Sequence, residues 1–431
     1  MSPSATAPPA PGNGLQILII GGGLCGLGAA ISISLAGHSV TVLEAVSQLH
    51  EYGAGLQITP NANRLLRRWG LWESLAPVAA APQQLSIRRF DGRLLAQRPD
   101  YDQETTRKYG VPTWCLHRVD LQQALLKRAT ELGVDFRFGQ RVQDIDFERN
   151  EIALESGETV TGDVVIAADG LWSTIRNKFL GIETPPKPTG DLAYRVTINV
   201  DEVDDPELLR VIQTPGNNIW IGPSRHAVGY NVRNGKLFNM VLLVPDDLPE
   251  GVRKQPGNVA EMRKLFENWD PLLTKLLAGV EKVEKWKLMH LLDPPLDRLA
   301  TDSGRFIIAG DAAHPMLPYF AQGANSSFED AAILGHLLSK ISSVGELPIV
   351  ADIYARIRRE RVSRIHSETF VHRDDFHLPD GPEQVKRDEL LSNSFTKDDW
   401  THPKIQPWLW SYDAYEAAEE EYSKVILGPK K

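Results

Sequence analysis

Cysteine is scarce in this chain of 431 residues, and long apolar runs are absent. Cys25 and Cys115 are its two cysteines, which argues against a disulfide framework and indicates a reducing compartment such as the cytoplasm. No stretch of about 18 apolar residues occurs, so no transmembrane segment is expected. Basic residues number 47 against 56 acidic ones, for a net charge of −9, which disfavours a nucleic-acid partner.

The remaining composition is that of a folded protein, with 42% hydrophobic and 24% charged residues. Residues 1–14 are rich in Pro, Ala, Ser and Gly and are predicted to form a flexible tail. They lack the basic start and apolar core of a signal peptide. The length is enough for two fused domains or one large composite.

Two kinds of strand pattern follow the tail. LQILII (15–20), SVTVLEA (39–45), DVVIAADG (163–170) and RFIIAG (305–310) are apolar runs typical of buried parallel strands. Between 190 and 295 the pattern alternates, and Asn234-Gly235 predicts a two-residue hairpin turn. After Asp311 the pattern is helical.

These patterns predict an α/β fold with an inserted antiparallel sheet. We expect a discontinuous Rossmann-like domain over 15–185 and 296–345. A substrate-binding sheet is expected over 186–295, and a helical C-terminal region over 346–431.

The first motif with a chemical meaning is Gly21-x-Gly23-x-x-Gly26, placed after the first strand and before a helix. Gly21 permits a tight turn, Gly23 lets a pyrophosphate approach the backbone, and Gly26 lets the helix pack against the sheet. Glu44 ends the second strand, where a carboxylate accepts hydrogen bonds from a ribose. In this context the motif predicts a dinucleotide site; the alternative is a structural glycine turn.

Three further motifs carry a family resemblance. They are Arg118-Val-Asp-Leu, Asp169-Gly170-x-x-Ser-x-x-Arg and Gly310-Asp311-Ala-Ala-His-Pro. With PMLPYFAQGANSSFEDAAILG (315–335) and HLPDGPEQ (377–384), the chain resembles the class A FAD-dependent aromatic hydroxylases, in their fungal salicylate-hydroxylase-like branch. The resemblance runs from Leu15 to the C-terminal helices and implies the aromatic hydroxylase fold.

The resemblance also implies how FAD would be held. Asp311 would accept hydrogen bonds from the ribityl chain, and Arg118 would lie along the phosphates or the ribityl chain. Asp169 would serve FAD and NAD(P)H binding, unless it only holds its own turn. Free N–H groups at Gly323, Ala324 and Asn325, before a helix expected to begin near Ser326, would face the flavin pyrimidine edge.

The implied chemistry is hydroxylation of a small aromatic substrate. NADH or NADPH would reduce FAD, and O2 would add to give a flavin C4a-hydroperoxide that transfers oxygen to a phenolic or hydroxybenzoate-type ring, with or without decarboxylation. A single dinucleotide fingerprint is present, as in the resembled family, where nicotinamide binds transiently. The alternatives are a dearomatising hydroxylase or epoxidase of a secondary metabolite, and a non-catalytic flavin-fold binding protein.

Substrate residues are predicted on the inserted sheet, where alternation puts His226, Val228, Tyr230 and Val232 on one face. Arg195 and Tyr230 would bind a phenolate or carboxylate, unless they are a surface arginine and a core tyrosine. His226 would replace a missing catalytic imidazole, against the alternative of an exposed loop histidine. The remaining expected residues are Pro315 with a catalytic role, and Gln57 and Tyr319 in contact with substrate.

A family histidine is replaced here by Gly229, and we expect its open space to admit a bulkier phenol. The histidines at 366, 372 and 377 show no ligand-like spacing, so no metal site is predicted. The basic stretch 356–364 is expected on a solvated helix face, and Trp408, Trp410 and Tyr412 are expected to pack the C-terminal region. The oligomeric state is open, with a homodimer as one option.

Overall fold

The computed structural model describes residues 14–49, 54–291, 296–394 and 405–427. The predicted tail 1–14 therefore lies outside these ranges except for Gly14. The strands are β1 (Gln16–Ile20), β2 (Ser39–Glu44), β3 (Gly55–Ile58), β4 (Gln84–Arg89), β5 (Leu94–Arg98), β6 (Trp114–His117), β7 (Asp135–Phe138), β8 (Val142–Asp146), β9 (Glu151–Leu154), β10 (Thr159–Thr161), β11 (Val164–Ala167), β12 (Lys187–Asn199), β13 (Gly216–Gly222), β14 (Arg225–Val232), β15 (Leu237–Pro245), β16 (Lys254–Pro256), β17 (Glu284–His290) and β18 (Phe306–Ile308).

The helices connect these strands and dominate the C-terminal third. They are α1 (Leu24–Leu35), α2 (Pro60–Arg68), α3 (Trp72–Leu75), α4 (Tyr101–Tyr109), α5 (Arg118–Glu131), α6 (Thr174–Leu180), α7 (Pro206–Gln213), α8 (Val259–Leu265), α9 (Pro271–Ala278), α10 (Gln322–Leu338), α11 (Leu347–Phe376), α12 (Pro382–Ser394), α13 (Ile405–Trp410) and α14 (Ala414–Leu427). No helix in the described ranges is both long and apolar enough to cross a membrane.

A five-stranded parallel sheet forms the first layer, in the order β18-β11-β1-β2-β7. The four apolar runs read from the sequence supply four of its strands, because each is buried on both faces and rich in β-branched residues. Helices α1 and α10 pack on this sheet, and the antiparallel strands β8 to β10 add Ile145, Ile152 and Leu154 to the same core. The predicted Rossmann-like start is confirmed.

An eight-stranded mixed sheet forms the second layer, in the order β16-β17-β12-β15-β14-β13-β4-β5. One face packs on α7, α8 and α9, through residues such as Phe238, Met240 and Leu276. Strands β4 and β5 lie within the segment we assigned to the Rossmann-like domain, yet β4 pairs with β13 of the large sheet. Sequence order hid this pairing, because the two strands are separated by more than 120 residues.

The predicted hairpin between β14 and β15 is present, but its connection is longer than two residues. Val232 pairs with Leu237, so four residues form the loop. Arg233, Asn234 and Gly235 all have positive φ, at 51°, 52° and 84°. Asn and Gly tolerate this left-handed backbone best, which is why the dipeptide marked the turn correctly.

Candidate active site

A cavity of about 450 Å³ lies between the two layers, at the carboxyl ends of the parallel strands. One wall, here called the cofactor wall, is formed by the glycine turn after β1, the turn after β18 and the start of α10. The other, called the sheet wall, is the face of β12 to β15 turned away from α7, α8 and α9. Ligands of open α/β sheets bind at such a strand-end crevice.

The glycine turn of the cofactor wall matches the three roles read from the motif. Gly21 has φ +102°, and a Cβ there would lie 2.6 Å from the Ala168 carbonyl oxygen; a Cβ on Gly26 would lie 1.9 Å from the Gly21 oxygen. At Gly23, which lines the cavity, a Cβ would meet nothing within 4 Å. The space in front of Gly23 is thus open to a ligand, and α1 begins at the next residue.

Glu44 is held by backbone groups at the end of β2. Its Oε2 accepts a hydrogen bond from Gly22 N–H at 2.6 Å, and its Oε1 accepts one from Val46 N–H at 3.0 Å. The carboxylate therefore fixes the glycine turn. Each oxygen retains a second lone pair, so the expected ribose contact stays a prediction.

Asp311 and Arg118 supply opposite charges to the cavity. Asp311 lies in the turn Gly310–Ala312, and Arg118 is the first residue of α5. Reduced hydration within the cavity raises the pKa of the Asp311 carboxyl, while Arg118 acts in the opposite direction. Arg118 forms no ion pair with any described residue, so its guanidinium is available to an anionic ligand such as a pyrophosphate.

The Asp169-Gly170 turn lies beside Asp311 and is held by a buried arginine. Arg176 Nη1 donates to the Ala312 carbonyl at 2.9 Å and Nη2 to the Leu171 carbonyl at 3.1 Å, which joins the two turns. Burial raises the pKa of Asp169. Its Oδ1 is buried and has no hydrogen-bond partner within the described residues. Such an orphaned acceptor suits a hydroxyl donor from a bound ligand.

Helix α10 begins at Gln322, one turn earlier than predicted, so Gly323, Ala324 and Asn325 form its first turn. Gly323 and Ala324 line the cavity, where the first N–H groups of a helix lack intrahelical partners. The Asn325 side chain instead ties α10 to β3. Its Oδ1 accepts from Thr59 N–H at 3.1 Å, and its Nδ2 donates to the Gln57 carbonyl at 3.0 Å.

A buried ionic cluster lies behind the start of α10, and sequence reasoning missed it. Glu329 pairs with Arg358 at 2.8 Å and with Arg361 at 2.7 Å, and Asp330 pairs with Arg358 at 2.5 Å. The expectation of a solvated basic face at 356–364 is wrong for both arginines. They project from α11 toward the acidic pair of α10, and Arg358 has no exposed surface.

The cluster also holds the Asp311 turn in place. Asp330 Oδ2 accepts a hydrogen bond from Gly310 N–H at 2.9 Å, and it lies 2.7 Å from His314 Nε2. Burial alone would raise the pKa of Asp330, but Arg358 and His314 outweigh it and hold the pKa at about 2. A change in α11 would therefore be transmitted to the cofactor wall through Asp330.

The sheet wall carries the predicted substrate residues on one face. His226, Val228 and Tyr230 of β14 line the cavity, as the alternation requires, and Arg195 comes from β12. Arg195 stacks on Trp286 at 4.5 Å. Burial lowers the pKa of Arg195, as does Arg118. Burial raises the pKa of Tyr230, and Arg195 acts in the opposite direction.

Three other expected residues have different surroundings. Gln57 lines the cavity and donates through Nε2 to Asn217 Oδ1 at 3.0 Å. Tyr319 also lines it, but its hydroxyl donates to Asp191 Oδ2 at 2.5 Å. Pro315 is buried and does not line the cavity, so its expected catalytic role gains no support from its position.

Two details predicted for β14 are wrong. The alternative of an exposed loop histidine fails for His226, which lies within the strand, is 2% exposed and has its Nδ1 2.7 Å from His377 Nε2; its catalytic role stays a prediction. Gly229 faces away from the cavity, and a Cβ there would lie 2.6 Å from Phe238 Cζ. The position offers no room to a bulkier substrate. Within the described ranges, no three His, Cys, Asp or Glu side chains converge to hold a metal.

Comparisons with known proteins agree with this architecture. A family model described as FAD binding domain matches residues 14–369. The chain is 46% identical over 422 residues to the FAD-dependent monooxygenase OpS4 of Beauveria bassiana, covering 96% of this chain and 98% of that protein. It is 31% identical over 381 residues to 3-hydroxybenzoate 6-hydroxylase of Polaromonas naphthalenivorans, covering 87% and 91%.

Solved structures share the fold at low sequence identity. CtdE in complex with FAD and substrate 4 superposes with a TM-score of 0.80 at 23% identity, over 95% of this chain and 98% of that one. A salicylate hydroxylase substrate complex gives 0.77 at 23% identity, over 95% and 98%. The chain belongs to the FAD-dependent monooxygenases of the aromatic hydroxylase family.

Proposed function

We propose that this FAD-dependent monooxygenase uses NADH or NADPH and O2 to hydroxylate a phenolic or hydroxybenzoate-type aromatic, including the form in which hydroxyl replaces a ring carboxylate. The observation that carries the proposal is the pairing of the two walls. A cofactor wall of open backbone faces a sheet wall whose half-buried cation, Arg195, lies near Tyr230. The names of relatives acting on hydroxybenzoates support the same substrate class.

The residues of the cofactor wall fit FAD. Gly23 and Gly323 leave open space where a Cβ would meet no atom of the described residues within 4 Å. Arg118 offers a cation that no described residue pairs with, and Asp169 and Asp311 offer carboxylates. Bound FAD would supply reduction by the nicotinamide cosubstrate and activation of O2. The protein supplies the orientation of the flavin and the exclusion of water.

Arg195 and Tyr230 would bind and orient the substrate. A guanidinium with few competing acidic partners stabilises a phenolate or carboxylate, and a buried Tyr hydroxyl donates to it. Val228, Val241 and Leu243 line the cavity on the same wall. This apolar surface would hold the ring flat and keep water out, which favours oxygen transfer over wasteful loss of the reducing equivalents.

The nicotinamide cosubstrate would bind without a domain of its own. The sequence carries one dinucleotide fingerprint, Gly21 to Gly26, and we assign it to FAD. We therefore infer a transient nicotinamide site at the cavity mouth. A reducing compartment such as the cytoplasm suits the enzyme, because Cys25 and Cys115 are both free and buried.

Rapid mixing of the FAD-loaded enzyme with NADH or NADPH, under anaerobic conditions, tests the proposal. A panel of salicylate, other hydroxybenzoates and larger phenols should include a compound that accelerates flavin reduction. Failure of every phenol to do so would refute the aromatic hydroxylase assignment. Release of CO2 with the product would identify decarboxylative hydroxylation, and retention of the carboxylate would identify simple hydroxylation.

A further inference from the structure

His226 is a polar group of the sheet wall that the proposed function does not use. It is 2% exposed, it lines the cavity, and its ring centre lies 5.6 Å from that of Tyr319. Its Nδ1 contacts His377 Nε2 at 2.7 Å. Its Nε2 has no hydrogen-bond partner among the residues the structure describes, which leaves that nitrogen to a ligand.

His377 connects this pair to the outside of the protein. It is half-buried and immediately follows α11. Its carbonyl accepts a hydrogen bond from Ser224 N–H at 3.0 Å, and its own N–H donates to the Arg373 carbonyl at 3.0 Å. These backbone bonds fix His377 against the start of β14. The two imidazoles therefore bridge the cavity and the protein surface.

Both rings are neutral at pH 7. Burial lowers the pKa of His226 well below 6.5, with His377 and His372 acting in the same direction. Burial lowers the pKa of His377 to about 4. The 2.7 Å contact is thus a hydrogen bond with one N–H donor and one N acceptor. Other titratable or charged groups facing the pair are His372, Tyr319, Arg225, Arg373 and Asp374.

We propose that His226 and His377 form a proton relay between a bound phenol and solvent, a role that rests on the proposed function. The phenol O–H bond breaks and its proton goes to His226 Nε2. The proton on His226 Nδ1 passes to His377 Nε2, and the proton on His377 Nδ1 leaves to water. The phenolate so formed is the electron-rich ring that oxygen transfer requires. Reprotonation of the product oxygen by the reverse path restores both rings.

The position of the relay on the sheet suits one aromatic ring. His226 on β14 pairs with Leu243 on β15, and Arg195 on β12 pairs with Val241 on β15. The two polar side chains therefore lie two strands apart on the same face, about 10 Å across the sheet. A ring resting on Val241 and Leu243 lies between them, within reach of an acceptor on one side and a cation on the other.

Ionisation of a bound chromophoric phenol tests the relay without turnover. FAD-loaded enzyme is mixed with 5-nitrosalicylate, and the visible absorbance of its phenolate is followed together with a pH-indicator dye in weakly buffered solution. We expect His377→Gln to leave the dissociation constant unchanged and to slow ionisation and proton release by about 100-fold or more. Added imidazole should restore the rate in His377→Gly, which a purely structural role would not allow. In His226→Asn the rapid ionisation of the probe seen in wild type should be absent.

His366→Gln is the matched control. His366 lies on α11 as well, stacks near His290 at 6.1 Å and does not line the cavity. The His366→Gln variant should ionise the probe at the wild-type rate. Wild-type ionisation in His377→Gln would overturn the relay. An enzyme that ionises the probe through the relay but hydroxylates no phenol would instead refute the proposed function, so the two failures are distinguishable.

Discussion

The two walls of the cavity are built in opposite ways. The cofactor wall is mostly backbone, namely two glycine-rich turns and a helix start, and it is held from behind by the ionic cluster of Glu329, Asp330, Arg358 and Arg361. The sheet wall is mostly side chains, and some of its polar groups are hydrogen-bonded to residues from outside the sheet, such as His226 to His377 and Asp191 to Tyr319.

Under the proposed function, the cofactor wall holds FAD and the sheet wall selects the substrate. Backbone donors recognise a ligand common to a whole family, and they tolerate little change because Gly21 and Gly26 leave no room for a Cβ. Side chains on a rigid sheet are exchanged without disturbing the strand ladder. Changes behind the cofactor wall should therefore cost stability and FAD content, and changes on the sheet wall should cost turnover alone.

The largest expected effect is on the cluster. Arg358→Ala leaves Glu329 and Asp330 buried without their main partner, which should lower the free energy of unfolding by about 3–5 kcal/mol and release FAD. Chemical denaturation and flavin content report both. Arg359→Ala removes an exposed arginine of the same helix and should change stability by less than about 0.5 kcal/mol. Equal effects of the two variants would contradict the proposed role of the cluster.

On the sheet wall, Arg195→Gln should reduce kcat/KM for a hydroxybenzoate by about 10–100-fold, because a charge-assisted contact of about 1.5–3 kcal/mol is lost. FAD content and stability should stay at wild-type levels. Steady-state kinetics and flavin absorbance measure the two. The exposed Arg210 on α7 is the matched control, and Arg210→Gln should behave as wild type. Loss of FAD from Arg195→Gln would show that the sheet wall also holds the cofactor, which contradicts the division of roles between the two walls.

A pair of glycine variants sharpens the description of the cofactor wall. In Gly26→Ala the new Cβ would collide with the Gly21 oxygen, which should destabilise the protein by about 1–3 kcal/mol. In Gly23→Ala the new Cβ meets no atom of the described part of the chain within 4 Å, so the apoprotein should keep its stability while FAD binding weakens. Melting temperatures of the apoproteins and FAD titrations distinguish them. Unchanged FAD affinity in Gly23→Ala would remove Gly23 from the cofactor site.

As pH falls, the contribution of His377 to the free energy of unfolding should be lost before that of the ionic cluster. The pKa of folded His377 is about 4 against 6.5 for a free histidine, so the unfolded state binds more protons in this window and stability falls as pH drops from 6.5. The slope is at most about 1.4 kcal/mol per pH unit, reduced by the partial exposure of His377. Asp330, with a pKa of about 2 against 3.8, keeps its contribution until pH falls below about 4.

Denaturation midpoints between pH 4 and 7 measure this slope. His377→Gln should show a shallower dependence than wild type, and Arg359→Ala should not. An identical slope in His377→Gln would assign the acid sensitivity to other groups.

The two walls also differ in how well they could be read from the sequence. The cofactor wall was predictable, because the tight turn at Gly21 and the packing at Gly26 are local demands that particular residues meet at a fixed spacing. The parallel strands were equally readable, since burial on both faces leaves continuous apolar runs. The first residue of α10 could not be predicted. Its N-cap, Ala321, adopts φ +56° and offers no capping side chain that would mark the start of the helix.

The contacts behind and across the walls could not be read in this way. Arg358 and Asp330 are 28 residues apart, and His226 and His377 are 151 apart. A basic stretch is ordinarily solvated and a lone histidine ordinarily exposed, so composition favoured the wrong surroundings for both. The alternation along β14 did predict which side chains face the cavity, yet it could not say that His377 would cover one of them.

Transfer of one oxygen atom from O2 to a phenolic ring is the reaction that we propose for this cavity. Turnover with NADH or NADPH under ¹⁸O2, using a phenol that accelerates flavin reduction, follows that atom. We predict a product carrying one ¹⁸O atom, formed in proportion to the nicotinamide oxidised. Nicotinamide oxidation that yields only hydrogen peroxide and unlabelled aromatic, with every such phenol, would rule out the proposed oxygen transfer.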